Sequence, residues 1–141
     1  MKLAIGSDHA GYELKEFIKS KFTDIEFVDK GCYSLDSVDY PDFALAVSQE
    51  VVSKRVDLGI LICGSANGIS ISANKHKGIR AAIAWLPEIA TLARQHNDAN
   101  ILSLPARFIS HENALEIINA FLDAKFEGGR HQNRVDKIEN L

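Results

Sequence analysis

Leu58-Gly-Ile-Leu-Ile-Cys-Gly-Ser-Ala-Asn-Gly-Ile-Ser-Ile-Ser-Ala-Asn74 is the stretch on which the reading of this chain turns. Leu58 to Ile62 is short and almost wholly apolar, which suits a strand buried on both faces of a parallel sheet. At Cys63 the pattern changes to small and polar residues, with glycines at Gly64 and Gly68. Ile69, Ile71 and Ala73 fit neither strand nor helix period cleanly; the closing turn at Gly68 favours a short helix from Ile69. A strand, a tight loop and a helix start thus gather Cys63, Ser65 and several backbone N–H groups around one point. Such a loop holds an anion without any charged side chain.

Familiar motifs do not account for it. A P-loop ends in Gly-Lys-Ser/Thr, whereas this loop ends Asn67-Gly68-Ile69, and no Gly-x-Gly-x-x-Gly fingerprint is present. A cysteine phosphatase needs arginine where Ile69 stands. A receiver domain needs an acceptor aspartate where Cys63 stands.

Outward from the loop, strand and helix patterns alternate. Strands are expected at Lys2–Ser7, Ile25–Asp29, Ile79–Trp85 and Ile101–Leu104. Helices are expected at Tyr12–Lys21, Phe43–Lys54, Pro87–His96 and Glu112–Leu122, the last capped by Ser110. Tyr40-Pro41 reads as an extended dipeptide ending the loop from Lys30. The expected fold is α/β: a three-layer Rossmann-like sandwich with a five-stranded parallel sheet. Ligands in such sheets sit beyond the carboxyl ends of the strands, where strand order reverses. There the sequence places Asp8-His9, Cys63 to Gly68, Trp85 and Pro105-Ala106-Arg107.

The 141 residues suit one domain, 1–141, with a full core. A net charge of −3, with no basic run, argues against a nucleic-acid partner. No apolar stretch reaches membrane-spanning length, so no membrane partner is expected. Two cysteines, Cys32 and Cys63, make no disulfide framework, and the start shows no signal-peptide pattern; a cytoplasmic location is the expectation. No Cys/His cluster has zinc spacing, and no metal or cofactor is expected. The polar segment 125–141 follows a hinge at Gly128-Gly129 and carries Arg130 and Arg134 one helical turn apart. With few apolar residues it is poorly equipped to fold back on its own core and better suited to a subunit interface.

Six motifs in order carry a resemblance over nearly the whole chain: Gly6-Ser-Asp-His-Ala-Gly11, Asp39-Tyr-Pro41, Leu61 to Ser70, Ala73-Asn-Lys75 with Gly78-Ile-Arg-Ala81, Arg94-Gln-His-Asn-Asp98, and Glu127 to Arg134. The chain resembles ribose-5-phosphate isomerase of the B type, in the family shared with galactose-6-phosphate and allose-6-phosphate isomerases. The resemblance implies a cofactor-independent aldose–ketose isomerase of the pentose phosphate pathway, with a phosphorylated sugar as substrate. It places the base at Cys63 and the enediolate's anion hole at Gly64, Ser65, Ala66, Asn67 and Gly68. His96, with Asp8 nearby, matches the ring-opening group. His9, Arg107, Arg130 and Arg134 match the phosphate set, and Tyr40 and Asn97 match substrate contacts. It also implies a homodimer or dimer of dimers with shared active sites, His96 approaching the partner's Cys63. Ser65 stands where many members carry threonine. Ala66-Asn67 departs from the commonest pattern, a glycine followed by an apolar residue.

The chemistry agrees with these roles. Removing a proton beside an aldehyde needs a placed base and donors for the developing oxyanion. Helix-end N–H groups are expected to draw the thiol of Cys63 down from about 8.5 toward neutral pH. An imidazole suits ring opening, and two arginines one turn apart suit a dianionic phosphate. Blander readings stand beside these. An apolar-strand cysteine is often inert, terminal arginines are often a solvated face, and Arg107 is free to pair with a surface carboxylate. Cys32, His76, His111 and His131 receive no chemical role. A six-carbon aldose 6-phosphate is an alternative substrate, and a non-catalytic sugar-phosphate binding module an alternative class.

Overall fold

The computed structural model describes all 141 residues and contains five strands and six α-helices. The strands are β1 (Lys2–Ser7), β2 (Glu26–Asp29), β3 (Leu58–Cys63), β4 (Ala81–Ile83) and β5 (Ile101–Pro105). The helices are α1 (Tyr12–Lys21), α2 (Tyr40–Val52), α3 (Asn67–Asn74), α4 (Pro87–Asn97), α5 (His111–Asp123) and α6 (Arg130–Glu139). Every strand pair is parallel, in the order β2-β1-β3-β5-β4.

That order explains which helix covers which face. Right-handed crossovers put helices on one face when the chain moves one way across the sheet, and on the other face when it turns back. The chain runs from β1 to β2, reverses to reach β3 and β4, then reverses again to insert β5. Accordingly α1, α4 and α5 bury Leu14, Ile18, Ala90, Ile117 and Phe121 on one face, against Leu3, Ile5, Ile60, Ile62, Leu102 and Leu104. α2 and α3 bury Ala44, Val47, Val51, Ile69 and Ala73 on the other, against Ala4, Leu61 and Cys63. The strand residues alternate between the two clusters with the period of two that a pleated strand imposes.

Close approach is set by small residues. A Cβ on Gly6 or on Gly59 would lie 2.8 Å from Val47, so glycine lets α2 lie flat on β1 and β3. One buried charge is also part of the frame. Lys15 has no exposed side-chain surface, and its Nζ donates to Asp29 at 2.6 Å and to Glu16 at 3.0 Å. Burial alone would raise the Asp29 carboxyl, but hydrogen bonds from Lys15 and Lys19 hold it below its ordinary value.

Several element ends differ from the sequence expectations by a residue or two, and four differences matter more. Tyr40-Pro41 is not an extended end of a loop but the first turn of α2, where proline loses no helical hydrogen bond; Asp39 is the extended residue. α3 begins at Asn67, not Ile69. β4 pairs only over Ala81–Ile83, because it is an edge strand with β5 as its single neighbour. The C-terminal segment does fold onto its own chain. α6 packs beside α4, buries Val135, and is tied by an ion pair from Arg80 to Glu139.

Candidate active site

The turn from β3 into α3 is built by its backbone. Cys63 ends the strand, 5% exposed, and Ala66 takes φ +66 with its methyl fully buried. A left-handed turn therefore survives where a glycine would take it unstrained; alanine there costs on the order of 1 kcal/mol. The Ser65 hydroxyl accepts from the Asn67 backbone N–H at 3.3 Å and from its side-chain amide at 3.2 Å, closing the loop around the thiol.

The thiol's charge balance runs against the sequence expectation. Burial is the dominant influence and raises the Cys63 pKa; Asp8 raises it further. Hydrogen bonds from the N–H groups of Ile69, Ala66 and Ser65 pull the other way and do not compensate. The helix-end donors are present as expected, but in this chain the thiol lies above its ordinary value, not below it.

Several of the expected residues gather at this carboxyl edge. Asp8 follows β1, and its carboxylate accepts from Ala10 and Gly11 N–H at 3.0 and 3.2 Å, capping the short turn His9–Gly11. His9 Nδ1 accepts from the Val38 N–H at 3.2 Å, which leaves Nε2–H as a donor. Tyr40 lies on Gly68 so closely that a Cβ there would fall 2.4 Å from its ring. Arg107 lies over Gly64 in the same way, its Nη1 3.1 Å from where a Cβ would sit, and its N–H donates to the Gly64 carbonyl at 3.0 Å. Gly68 is thus set by contact, not by conformation, while a Cβ at Gly64 would ask only a small shift of the flexible Arg107 end. Beside the loop, Ser65, Asn67, Ile83, Trp85, Pro105 and Phe108 line an open groove of about 470 Å³.

The remaining expected residues sit at the opposite edge. His96 and Asn97 occupy the last turn of α4, which runs back toward the start of β5. The carbonyl of Asn100, just after it, accepts from Gly59 N–H at the start of β3. About 13 Å of strand separates Gly59 from Cys63 at ~3.3 Å per residue, a gap no histidine side chain bridges. Arg130 and Arg134 belong to this second group through α6. Asp8 is therefore not near His96 within one chain. None of Arg107, Arg130 and Arg134 is in an ion pair with a carboxylate, which removes the surface-pair reading of Arg107.

Three residues of the second group carried no sequence signal of their own. Arg80 donates to the carbonyls of Asn97 and Asp98 at 3.1 and 2.8 Å and also holds Glu139, so it ties the end of α4 to α6. His131 stacks on His96 with ring centroids 4.2 Å apart. Glu127 faces both imidazoles, and its N–H donates to the Gln95 carbonyl at 3.0 Å. All three do lie within motifs that carry the resemblance; only their contacts were hidden.

The sequence matches the Ribose/Galactose Isomerase family over residues 3–138. It is 47% identical to ribose-5-phosphate isomerase B of Escherichia coli, over 97% of this chain and 93% of that one. Among solved structures, a ribose 5-phosphate isomerase from Thermotoga maritima superposes with a TM-score of 0.98 at 51% identity, covering 99% of this chain and 98% of the other. Ribose-5-phosphate isomerase B from Mycoplasma genitalium, solved with bound ribulose-5-phosphate, gives 0.93 at 45% identity, covering 99% and 94%.

Proposed function

The chain belongs to the ribose/galactose isomerase family, and from that membership we propose that it interconverts ribose 5-phosphate and ribulose 5-phosphate by proton transfer through an enediolate. The observation that carries the reading is the buried thiol of Cys63 at a strand end, ringed by three N–H donors. The thiolate of Cys63 takes the proton from C2 of the open-chain aldose. The electron pair moves to form the enediolate, whose O1 oxyanion is held by the N–H groups of residues 64 to 68. The thiol then returns the proton to C1, while a proton passes from O2 to O1, a transfer suited to the Ser65 hydroxyl. No redox partner is needed, because oxidation at C2 and reduction at C1 balance within the substrate.

The split of the candidate residues between two edges supports a site completed by a second copy of the chain. In that arrangement Asp8, His9, Tyr40, Cys63 and Arg107 come from one protomer, and His96, Asn97, Arg130 and Arg134 from its partner. The exposed Trp85 and Phe108 beside the catalytic loop offer apolar surface for the contact, as does any face between copies. The C-terminal segment 125–141 then carries its arginines to the neighbour's site while remaining anchored at home by Val135.

A coupled assay on purified protein tests the substrate. Ribose 5-phosphate should be turned over with the higher kcat/KM, and preference for allose 6-phosphate would overturn the five-carbon reading. Arg130→Ala and Arg134→Ala should mainly raise KM, since a remote phosphate contact exists in ground and transition states alike. Wild-type KM in both variants would return them to the solvated face of α6.

The raised thiol pKa fixes a sign for pH dependence. The thiolate is the reactive form, and below the pKa its fraction falls about tenfold per pH unit. Alkylation of the substrate-free enzyme by iodoacetamide should therefore keep accelerating beyond pH ~8.5, the ordinary thiol value. A plateau at or below pH 7 would mean that cationic groups of the partner outweigh burial and Asp8.

A further inference from the structure

His96, Glu127 and His131 meet on the surface between the end of α4 and the start of α6. Both imidazole Nε2 atoms lie 3.6 Å from the same carboxylate oxygen, Oε1 of Glu127. That is longer than a hydrogen bond and close to the ~3.3–3.4 Å edge of a tetrahedron whose Zn–N and Zn–O distances are about 2.0–2.1 Å. One ligand atom from each residue falls within 4.8 Å of the other two. We propose that His96, Glu127 and His131 form a zinc site, and that its occupation switches the enzyme off by taking His96 out of the reaction.

Several features prepare the donors for a metal. Glu127 is fixed by its N–H bond to the Gln95 carbonyl, and His131 follows in the first turn of α6, its N–H donating to the Gly128 carbonyl at 3.0 Å. In the isolated chain the His131 side chain is 11% exposed, while those of His96 and Glu127 are 38% and 50% exposed. The donor set of two nitrogens and one carboxylate selects zinc over magnesium or calcium, which prefer all-oxygen shells.

Binding stands on this geometry alone; the inhibitory consequence rests on the isomerase role of His96 proposed above, so the two are read separately. EDTA-dialysed full-length protein is titrated with Co²⁺, followed by visible absorption, then with Zn²⁺, by calorimetry and by activity. One Co²⁺ per chain should bind with a tetrahedral spectrum, be displaced by Zn²⁺, and be ignored by Mg²⁺. Glu127→Gln and His131→Ala, with folding checked by circular dichroism, should each weaken binding by at least about tenfold. Cys63→Ala should bind as the wild type does. Zn²⁺ should inhibit the wild type in step with occupancy, EDTA should restore the rate, and the two ligand variants should resist relative to their own metal-free rates. No saturable binding, or wild-type affinity in both ligand variants, overturns the site, as does loss of binding in Cys63→Ala, which would make the thiol the ligand. Binding as described with an unchanged rate at saturation overturns the switch and the role given to His96, while the site stands.

Discussion

Cys63→Ala is expected to lower kcat/KM by roughly a thousandfold or more while leaving a folded protein, the loss that follows when an essential base is removed and nothing nearby replaces it. Asp8 is the buried carboxylate at this edge, and it is already committed to the N–H groups of Ala10 and Gly11. The fold should tolerate the change. Cys63 sits in the cluster with Val47, Leu61 and Ile69, and losing one sulfur there costs on the order of 1 kcal/mol. Thermal melting and circular dichroism check the fold, and the coupled assay checks the rate. Saturating substrate should also protect the wild type from iodoacetamide. Activity within tenfold of wild type in the alanine variant would remove Cys63 from the mechanism.

Why the thiol was legible and its acidity was not is instructive about local pattern. An apolar run that stops at a cysteine and is followed by small residues and two glycines places that cysteine at a strand end, and β3 ends there. The N–H donors follow from the helix start. Burial does not, because it depends on what packs from α2 and from β1, and Asp8 arrives across the sheet from a residue 55 positions away in sequence. The same limit applies to strand order. Periodicity marks five strands, yet nothing local says that β5 slips between β3 and β4, and that insertion makes β4 a three-residue edge. Pro41 was ambiguous for a related reason: X-Pro favours extended backbone before it, and a helix's first turn accepts proline equally well. The C-terminal segment looked unanchored because one valine does not make an apolar stripe. Val135 and the Arg80–Glu139 ion pair hold it nonetheless.

Mixing two inactive variants should return activity, which is the sharpest consequence of the split between the two edges of the sheet. Cys63→Ala disables the carboxyl-edge half of a site and His96→Ala the amino-edge half, and in one chain these halves are kept apart by the length of β3. If each site is assembled from one half of each protomer, a mixed dimer carries one site with both defects and one with neither. Random exchange of equal amounts places about half the dimers in the mixed class, so roughly a quarter of wild-type activity is expected. Each variant alone, carried through the same exchange, should stay inactive. Mass spectrometry on differentially labelled chains confirms that exchange has taken place. The yield itself carries information, because a value near a quarter requires His96 to act only across the interface. Confirmed exchange with no recovery would mean that a dimer does not bring these two edges together. The half-sites, Cys63 with Arg107 and His96 with Arg130, would then need a different arrangement of copies to meet.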